Sequence, residues 1–358
     1  MSIAKVRVGM IGYGLSGKVF HAPLLKANEG YEIVKVMTTR EEEVEVDLPG
    51  VEIAYSAEEI FEDYTIDLVI ICTPTESHYP LTRAALQSGK HVVVEKPFVV
   101  TSAEAKDLIE LAREEELILS VFQNRRWDSD FLTLQECMSQ GLLGEIHTYK
   151  AHFDRYRPEV KQRWKEHSLC GGGVLYDLGS HLIDQALTLF GIPLTVWADV
   201  QSQRAGSTAP DYFHIVFGYE TGLRVELHAG SLVIQPGPKL EAHGLNGSFL
   251  KFGLDPQEEQ LKAGMTPMDE KWGQEEEIHF AKVTTIVDPL SGEQETFPIP
   301  SIAGNYDRFY DEVYDAVIDG AALPVHPTEA LEVIHAIELA IKSSNEKRVI
   351  QWFDEVEY

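Results

Sequence analysis

The chain has 358 residues, with 30 basic and 58 acidic side chains and a formal net charge of −28. That acidity argues against nucleic acid and anionic membrane surfaces as partners, because both are bound through clustered Lys and Arg. A content of 44% hydrophobic and 25% charged residues is typical of a globular protein, and this length predicts about two domains.

The segments and cysteines that report on the cellular compartment favour the cytoplasm. The N-terminal residues contain no apolar stretch of signal-peptide length, and the longest apolar run, around residues 68–72, is far shorter than the ~18–20 residues of a membrane span. Three cysteines, Cys72, Cys137 and Cys170, are odd in number and have no CxxC spacing, so we expect them to be reduced. No HExxH motif, cysteine cluster or carboxylate triad indicates a metal site.

The first third of the chain alternates strand-like and helix-like patterns, which predicts a parallel sheet covered by helices. The predicted strands comprise residues 6–11, 31–37, 67–72, 91–95 and 118–122. The predicted helices follow a glycine-rich turn at residues 12–17, begin near residue 56, and cover residues 77–88 and 101–116. Two helix starts, Ser56-Ala57-Glu58-Glu59 and Thr101-Ser102-Ala103-Glu104, match the capping-box pattern.

The pattern changes after Asn124, where strands begin to dominate. Predicted strands comprise residues 146–153, 196–202, 212–219, 223–229 and 248–252, with a hairpin turn at residues 220–222. One helix is predicted over residues 177–190, ended by Gly191. Residues 255–285 are polar and are predicted to form a long excursion from the sheet. Two amphipathic helices are predicted over residues 306–319 and 328–344. We therefore expect an α/β Rossmann domain, residues 1–123, followed by an α+β domain with an open, mostly antiparallel sheet, residues 124–358.

The glycine-rich turn is a G-x-G-x-x-G motif, Gly12-Tyr13-Gly14-Leu15-Ser16-Gly17. Its first glycine permits a tight turn, the second lets the backbone approach a pyrophosphate, and the third allows close packing of helix on strand. The helix that follows offers free N–H groups and a positive dipole end to phosphates. Because the motif follows a strand and begins a βαβ series, it predicts a dinucleotide site.

The end of the second strand bears on which dinucleotide is bound. NAD sites usually place Asp or Glu there, whereas NADP sites use Arg and small hydroxyl residues. The sequence has Thr38, Thr39 and Arg40 at that point, which favours NADP over NAD. Alternatively, Arg40 is only a loop residue that pairs with the glutamates at positions 41–43.

Several motifs together resemble one enzyme family. These are the glycine turn, Glu95-Lys96-Pro97, Thr73-Pro74-Thr75 with His78, Asn124-Arg125-Arg126-Trp127-Asp128, and the segment at residues 171–184 that contains Asp177 and His181. Over essentially the whole chain, they resemble the glucose–fructose oxidoreductase / inositol dehydrogenase / MocA (Gfo/Idh/MocA) family. Within it, residues 12–21 and 155–160 are most similar to the NADP-dependent scyllo-inositol dehydrogenases.

The resemblance implies a set of site residues. The catalytic set carries over as Lys96, Asp177 and His181. The cofactor contacts carry over as Gly12, Tyr13, Gly14, Leu15, Ser16, Gly17, Thr38, Thr39, Arg40, Thr73, Pro74, His78, Glu95, Asn124 and Trp164. Residues 124–128 could serve substrate or cofactor, or could instead join the two domains.

These residue types suit the oxidation of a secondary alcohol. A histidine has a pKa close to neutral pH and can take or return the hydroxyl proton, while Lys96 can stabilise the developing alkoxide. Asp177 and His181 are spaced i, i+4, which places them on one face of a helix, although such a pair could also serve helix stability alone.

We therefore expect an oxidoreductase that transfers a hydride between NADP(H) and a cyclic polyol, scyllo-inositol or its ketone scyllo-inosose. The alternatives are another sugar or polyol dehydrogenase of the family, or a non-catalytic nucleotide-sensing regulator with the same fold. Because the predicted helices are too few to cover both faces of the second sheet, we also expect a homodimer or homotetramer.

Overall fold

The computed structural model describes residues 4–161 and 171–354, so the predicted contact Trp164 and the cysteine Cys170 lie outside the described residues. The chain forms two compact units. The first comprises the described residues of Met1–Asn124, Gln257–Trp272 and Asn305–Glu332, and the second those of Arg125–Pro256, Gly273–Gly304 and Val333–Tyr358. The division into domains of residues 1–123 and 124–358 stays a prediction.

The first unit contains a six-stranded parallel sheet with the strand order β3-β2-β1-β4-β5-β6. Its strands are β1 Val6–Ile11, β2 Tyr31–Met37, β3 Glu52–Ala54, β4 Leu68–Ile71, β5 His91–Val94 and β6 Leu119–Val121. Strands β4 and β5 are almost entirely buried, as expected for the middle of a sheet with two covered faces. This strand order is that of a Rossmann fold, which confirms the predicted fold class.

The helices of this part of the chain alternate with its strands. They are α1 Ala22–Ala27 after a π-helical turn Ser16–His21, α2 Glu41–Asp47, α3 Glu58–Phe61, α4 His78–Gln87 after a short 3-10 turn, and α5 Ser102–Glu114. Helix α2 and strand β3 were not predicted, because the acidic run that forms α2 carries little apolar periodicity.

The two predicted capping boxes differ in outcome. At α5, the Thr101 side chain accepts from the Glu104 backbone N–H and the Glu104 carboxylate accepts from the Thr101 N–H, so the box is formed. At α3, the N-cap residue is Ala57 and makes no side-chain cap, so the prediction at Ser56 was wrong. Glu59 instead accepts from the backbone N–H of Tyr55, which precedes the predicted box.

The second unit contains a nine-stranded sheet of order β14-β13-β12-β11-β7-β10-β9-β8-β15, in which only β7 and β10 pair in parallel. Its strands are β7 Ile146–His152, β8 Thr195–Gln201, β9 Tyr212–Gly218, β10 Arg224–Gly230, β11 Leu240–Gly244, β12 Gly247–Lys251, β13 Ala281–Asp288, β14 Glu293–Ile299 and β15 Ile350–Gln351. The predicted mostly antiparallel sheet is confirmed.

The other α-helices of residues 4–161 and 171–354 are α6 Ser129–Ser139, α7 Ser180–Phe190, α8 Gln257–Lys262, α9 Asp307–Asp319 and α10 Pro327–Glu346. The predicted excursion at residues 255–285 holds α8 and most of β13, so it is more regular than expected. Strand β14 was missed because most of its side chains are exposed, which removes the alternation that marks a half-buried strand. Among the helices described, none combines the length and the apolar character that crossing a bilayer demands.

The two faces of the second sheet differ in burial. Along β9, Phe213, Ile215 and Phe217 are buried, whereas the residues between them are partly exposed. Strands β7 and β10 show the same alternation. Successive side chains of a strand point to opposite faces, so one face of this sheet forms the core and the other, here called the outer face, is partly accessible.

Candidate functional site

The glycine-rich turn follows β1 and precedes the π-helical turn. Gly12 has a φ of 101°, which favours glycine, and a Cβ there would lie 2.9 Å from the Cys72 carbonyl oxygen. A Cβ on Gly17 would lie 2.5 Å from the Gly12 carbonyl oxygen, whereas one on Gly14 would meet nothing within 4 Å among the described residues. The first and third glycines therefore allow the close packing, and the second leaves its backbone accessible.

A largely buried carboxylate, Glu95, whose side chain is 12% exposed, connects the glycine turn to the end of β5. Its Oε1 accepts from the Ser16 hydroxyl and lies 3.0 Å from His21 Nε2, and its Oε2 accepts from the Lys96 backbone N–H at 2.9 Å. On its other side, His21 shares a hydrogen bond with the hydroxyl of Tyr310 on α9. Glu95 thus joins the end of β5 to the π-helical turn, and through His21 to α9, and it fixes the backbone that carries Lys96.

The surroundings of Glu95 keep it ionised. Burial by itself pushes the pKa of this carboxyl upward, but the hydrogen bond and charge of His21, the charge of Lys96 and the hydrogen bond from Ser16 outweigh it. The pKa of Glu95 is consequently lowered to about 2. A fixed negative charge therefore lies directly beside the predicted catalytic lysine.

His78 holds the loops that follow β4 and β5. Its Nε2 is 2.9 Å from the Thr73 carbonyl oxygen and its Nδ1 is 2.9 Å from that of Pro97, so both ring nitrogens face backbone carbonyls. The ring is 1% exposed, and burial lowers its pKa. In the structure, His78 thus positions the loops that bear Thr73 and Pro97; direct contact with a cofactor stays a prediction.

The end of β2 carries the residues predicted to select the cofactor. The Thr38 hydroxyl accepts from the Arg40 backbone N–H at 3.0 Å, and Arg40 itself is an exposed side chain at the start of α2. Its guanidinium lies 3.4 Å from the Glu43 carboxylate, which also pairs with Lys18 at 2.9 Å. The pairing of Arg40 with a nearby glutamate, foreseen as an alternative, is therefore present.

Asp177 and His181 lie in the second unit, where a wide turn meets a helix. Asp177 belongs to a π-helical turn, Leu175–Gly179, and His181 to the first turn of α7, so helical backbone begins before the predicted start at residue 177. Their i, i+4 spacing therefore spans a change from π to α geometry. Such π-helical turns are frequent at functional sites. His181 is 5% exposed and Asp177 is half-buried.

Helix α7 is held by the segment at residues 125–128. The Arg126 guanidinium donates two hydrogen bonds to the Asp184 carboxylate, at 2.9 and 2.7 Å, one helical turn beyond His181. Gln185 donates to the Arg125 carbonyl oxygen at 2.7 Å. A planar, two-bond contact fixes orientation as well as distance. Arg126 is therefore a residue that positions the His181 helix, a role that its sequence neighbourhood did not specify.

The predicted site residues are divided between the two units. Asp177 and His181 belong to the second unit, and the first holds the predicted lysine and cofactor residues: Lys96, Gly12, Tyr13, Gly14, Leu15, Ser16, Gly17, Thr38, Thr39, Arg40, Thr73, Pro74, His78, Glu95 and Asn124. Tyr13 is buried and donates to Asp47 at 3.2 Å, whereas Leu15 is exposed. His21, which contacts Glu95, was not predicted as a site residue, although it lies within the motif at residues 12–21.

Two sequence profiles of one oxidoreductase family match the chain. The NAD-binding Rossmann fold matches residues 6–123 and the C-terminal alpha/beta domain matches residues 135–352. The chain is 46% identical over 345 residues to the scyllo-inositol 2-dehydrogenase (NADP(+)) of Bacillus subtilis, covering 96% of this chain and 95% of that protein.

Solved structures agree over nearly the full length. The solved structure of yvaA from Bacillus subtilis is 45% identical with a TM-score of 0.95, covering 98% of this chain and 99% of that one. The solved structure of YPO2259 from Yersinia pestis is 43% identical with a TM-score of 0.92, covering 98% of each chain. With its glycine turn, its Glu95-Lys96-Pro97 segment and its Asp177–His181 helix, this chain belongs to the Gfo/Idh/MocA family of oxidoreductases.

Proposed function

We propose that the protein is an NADP-dependent dehydrogenase that interconverts scyllo-inositol and scyllo-inosose. The observation that carries this proposal is the identity of 46%, over 96% of the chain, with an NADP-dependent scyllo-inositol 2-dehydrogenase. The presence of Lys96, Asp177 and His181 supports an enzyme rather than a regulator that only binds nucleotide, because a regulator does not need groups that move protons.

The residues present suit a dinucleotide. The open space beside Gly14 allows a pyrophosphate to reach the backbone, and the turn lies where the strand order of the sheet reverses, between β1 and β4. Thr73 and Pro74 follow β4 at the same edge. We assign Gly12 to Gly17, with Thr73 and Pro74, as the residues that hold the pyrophosphate and the adjoining ribose.

The choice of NADP rests on the end of β2. No carboxylate stands at positions 37–40, and Arg40 is 52% exposed, so its guanidinium is accessible to a phosphate. Its pair with Glu43 is an exposed ion pair, which contributes little to stability and is easily exchanged for another partner. A phosphate would offer Arg40 a stronger, two-bond contact.

The catalytic roles follow from the chemistry of an alcohol. His181 takes the hydroxyl proton when the alcohol is oxidised and returns it when the ketone is reduced. Asp177 orients the imidazole or holds a substrate hydroxyl and stabilises the imidazolium. Lys96 stabilises the negative charge that develops on the substrate oxygen. A bound nicotinamide supplies the hydride acceptor or donor.

Turnover tests the proposal directly. Given NADPH and scyllo-inosose, the protein should oxidise the reduced nicotinamide, and it should do so far more slowly with NADH. A panel of inositol isomers measured in the reverse direction would report the substrate. Turnover of another sugar alone would support the family alternative, and NADPH binding without turnover of any keto-polyol would favour the regulator.

Replacement of the proposed acid–base residue provides a second test. His181→Asn should lower kcat by about 10²–10⁴-fold while NADPH binding, followed by its fluorescence, stays unchanged. The exposed His147 of β7 offers a control, and His147→Asn should leave kcat unaltered. Retained kcat in the His181 variant would remove this histidine from the mechanism.

A further inference from the structure

Three histidines form a row across the second sheet. In the strand register, His152 of β7 lies directly opposite His228 of β10, which lies directly opposite His214 of β9. The three alternate with buried residues, so all are on the outer face. The rings of His152 and His228 are 5.4 Å apart between centroids.

A carboxylate just beyond the end of β7 faces two of these rings. Asp154 Oδ1 is 2.7 Å from His228 Nδ1, and Asp154 Oδ2 is 3.3 Å from His152 Nδ1. Asp154 is only 5% exposed and also accepts from the Gly230 backbone N–H at 3.0 Å, which fixes its position. One ligand atom from each of the three residues lies within 4.8 Å of the others.

This cluster is separate from the helix that carries His181. The π-helical turn before α7 packs on the buried face, where a Cβ on Gly179 would touch the Phe213 ring at 3.4 Å. Phe213 and His214 are consecutive in β9 and so point to opposite faces. His228 and its partners are therefore on the other side of the sheet from the proposed acid–base residue.

We propose that His152, Asp154 and His228 bind a divalent transition-metal cation of the zinc class. Two imidazoles and one carboxylate are ligands that zinc takes, at about 2.0–2.2 Å, with water completing a tetrahedron. Ligand atoms in such a tetrahedron are about 3.3 Å apart, a spacing derived from those bond lengths. Asp154 Oδ2 already lies at this distance, 3.3 Å, from His152 Nδ1. Asp154 Oδ1 lies 2.7 Å from His228 Nδ1, so binding of the cation through one carboxylate oxygen requires a small rotation of the carboxylate or of that ring.

The competing interpretation is a polar cluster without a metal, in which Asp154 accepts hydrogen bonds from the two imidazoles. In a single chain both imidazoles are partly exposed, 27% and 20% of the side chain. The two interpretations differ in their response to added zinc, because only a metal site binds the cation through all three side chains.

A zinc titration of the full-length, chelator-treated protein against a chromophoric competitor tests this site. We expect one zinc ion per chain bound in competition with the dye. Asp154→Asn and His228→Gln should each weaken binding by at least about tenfold, because loss even of outer partners has such effects. Both variants should keep their NADPH-dependent turnover, since neither residue belongs to the proposed catalytic set.

His243 provides the matched control. It lies on the outer face of β11 with the Glu241 carboxylate 3.5 Å away, so it is another histidine–carboxylate pair of the same sheet. His243→Gln should leave zinc affinity unchanged. Equal affinity in wild type, Asp154→Asn and His228→Gln would overturn the proposal, and so would a loss confined to His243→Gln.

A measurement on the unaltered protein covers the case in which a variant fails to fold. Cobalt(II) added in place of zinc should give the intense visible absorption of a four-coordinate nitrogen–oxygen site, and zinc should displace it. A wild-type protein that shows only the weak spectrum of hydrated cobalt would contradict the proposal.

Discussion

Glu95 is the residue on which the polar contacts of the glycine turn converge. It accepts hydrogen bonds from Ser16, from the Lys96 backbone and from His21, whose other nitrogen contacts Tyr310. Burial of a carboxylate is costly unless such donors surround it. The arrangement therefore links the stability of the first unit to the ionisation of one side chain close to the catalytic lysine.

We expect this link to appear as a pH dependence of stability. Burial opposes ionisation of Glu95, but its donors lower its pKa from 4.5 to about 2, so the folded state favours the carboxylate. Its contribution is thus full above about pH 5 and is lost as the pH falls towards 2. Glu95→Gln should reduce the free energy of unfolding by on the order of 1–3 kcal/mol at neutral pH.

Urea unfolding at a series of pH values measures this effect. The difference between wild type and Glu95→Gln should shrink steadily between about pH 5 and pH 3. A difference that stays constant over this interval would show that Glu95 is not held ionised by its neighbours.

Substitution of Arg40, again a single residue, tests the proposed choice of NADP over NAD. Arg40→Asp places a negative charge where we propose a phosphate, so kcat/KM with NADP should fall by about ten- to a hundredfold more than with NAD. Arg113→Asp, at an exposed arginine that pairs with Glu110, makes the same change of charge and controls for it. Equal losses with both dinucleotides would place the phosphate elsewhere.

At the scale of an element, the starts of α3 and α5 show that a capping-box sequence does not by itself produce a cap. The sequences at Ser56 and Thr101 match the same pattern, yet only Thr101 and Glu104 exchange both hydrogen bonds. Helix α5 is thirteen residues long, whereas α3 has four, so α3 offers less regular backbone for a cap to stabilise. Both sequences therefore match the capping-box pattern, but only the longer helix, α5, forms the cap.

This difference predicts losses of stability of different size for two similar substitutions. Thr101→Ala should destabilise the protein by about 1 kcal/mol, because the Glu104 backbone N–H loses its acceptor. Ser56→Ala should change stability by no more than about 0.5 kcal/mol. Thermal unfolding of the two variants checks the comparison, and equal losses would mean that Ser56 caps α3 in solution.

At the scale of the whole molecule, the outer face of the second sheet indicates self-association. Trp197 of β8 is 37% exposed there and packs edge-on against His214. A broad sheet face that stays partly accessible in one chain is typical of a surface that another subunit covers. We propose that the protein is a homodimer or homotetramer that associates through this face.

Light scattering after size exclusion tests the assembly. The wild type should have two or four times the mass of one chain, and Trp197→Asp should shift it towards the monomer. Tyr64→Asp, at a tyrosine of the first unit that is 92% exposed, should leave the mass unchanged. A monomeric wild type would refute the proposal.

Local patterns in the sequence determined much of the fold. Strands β1 and β2 have the predicted bounds, because each is a short run rich in β-branched and other apolar residues that the following turn ends. The glycine-rich turn could also be predicted from sequence, because its three glycines lie within six consecutive residues. Elements whose side chains are largely exposed, such as α2 and β14, were missed because exposure removes the periodic signal.

The tertiary structure decided what depends on residues distant in sequence. The contacts of Glu95 with His21, of Arg126 with Asp184, and of Asp154 with His228 each join segments that no local motif connects. Strand pairing and register bring these groups together, since they set which side chains lie opposite each other on a face. A sequence read in order shows the residue types, but only the folded backbone sets the distances at which they act.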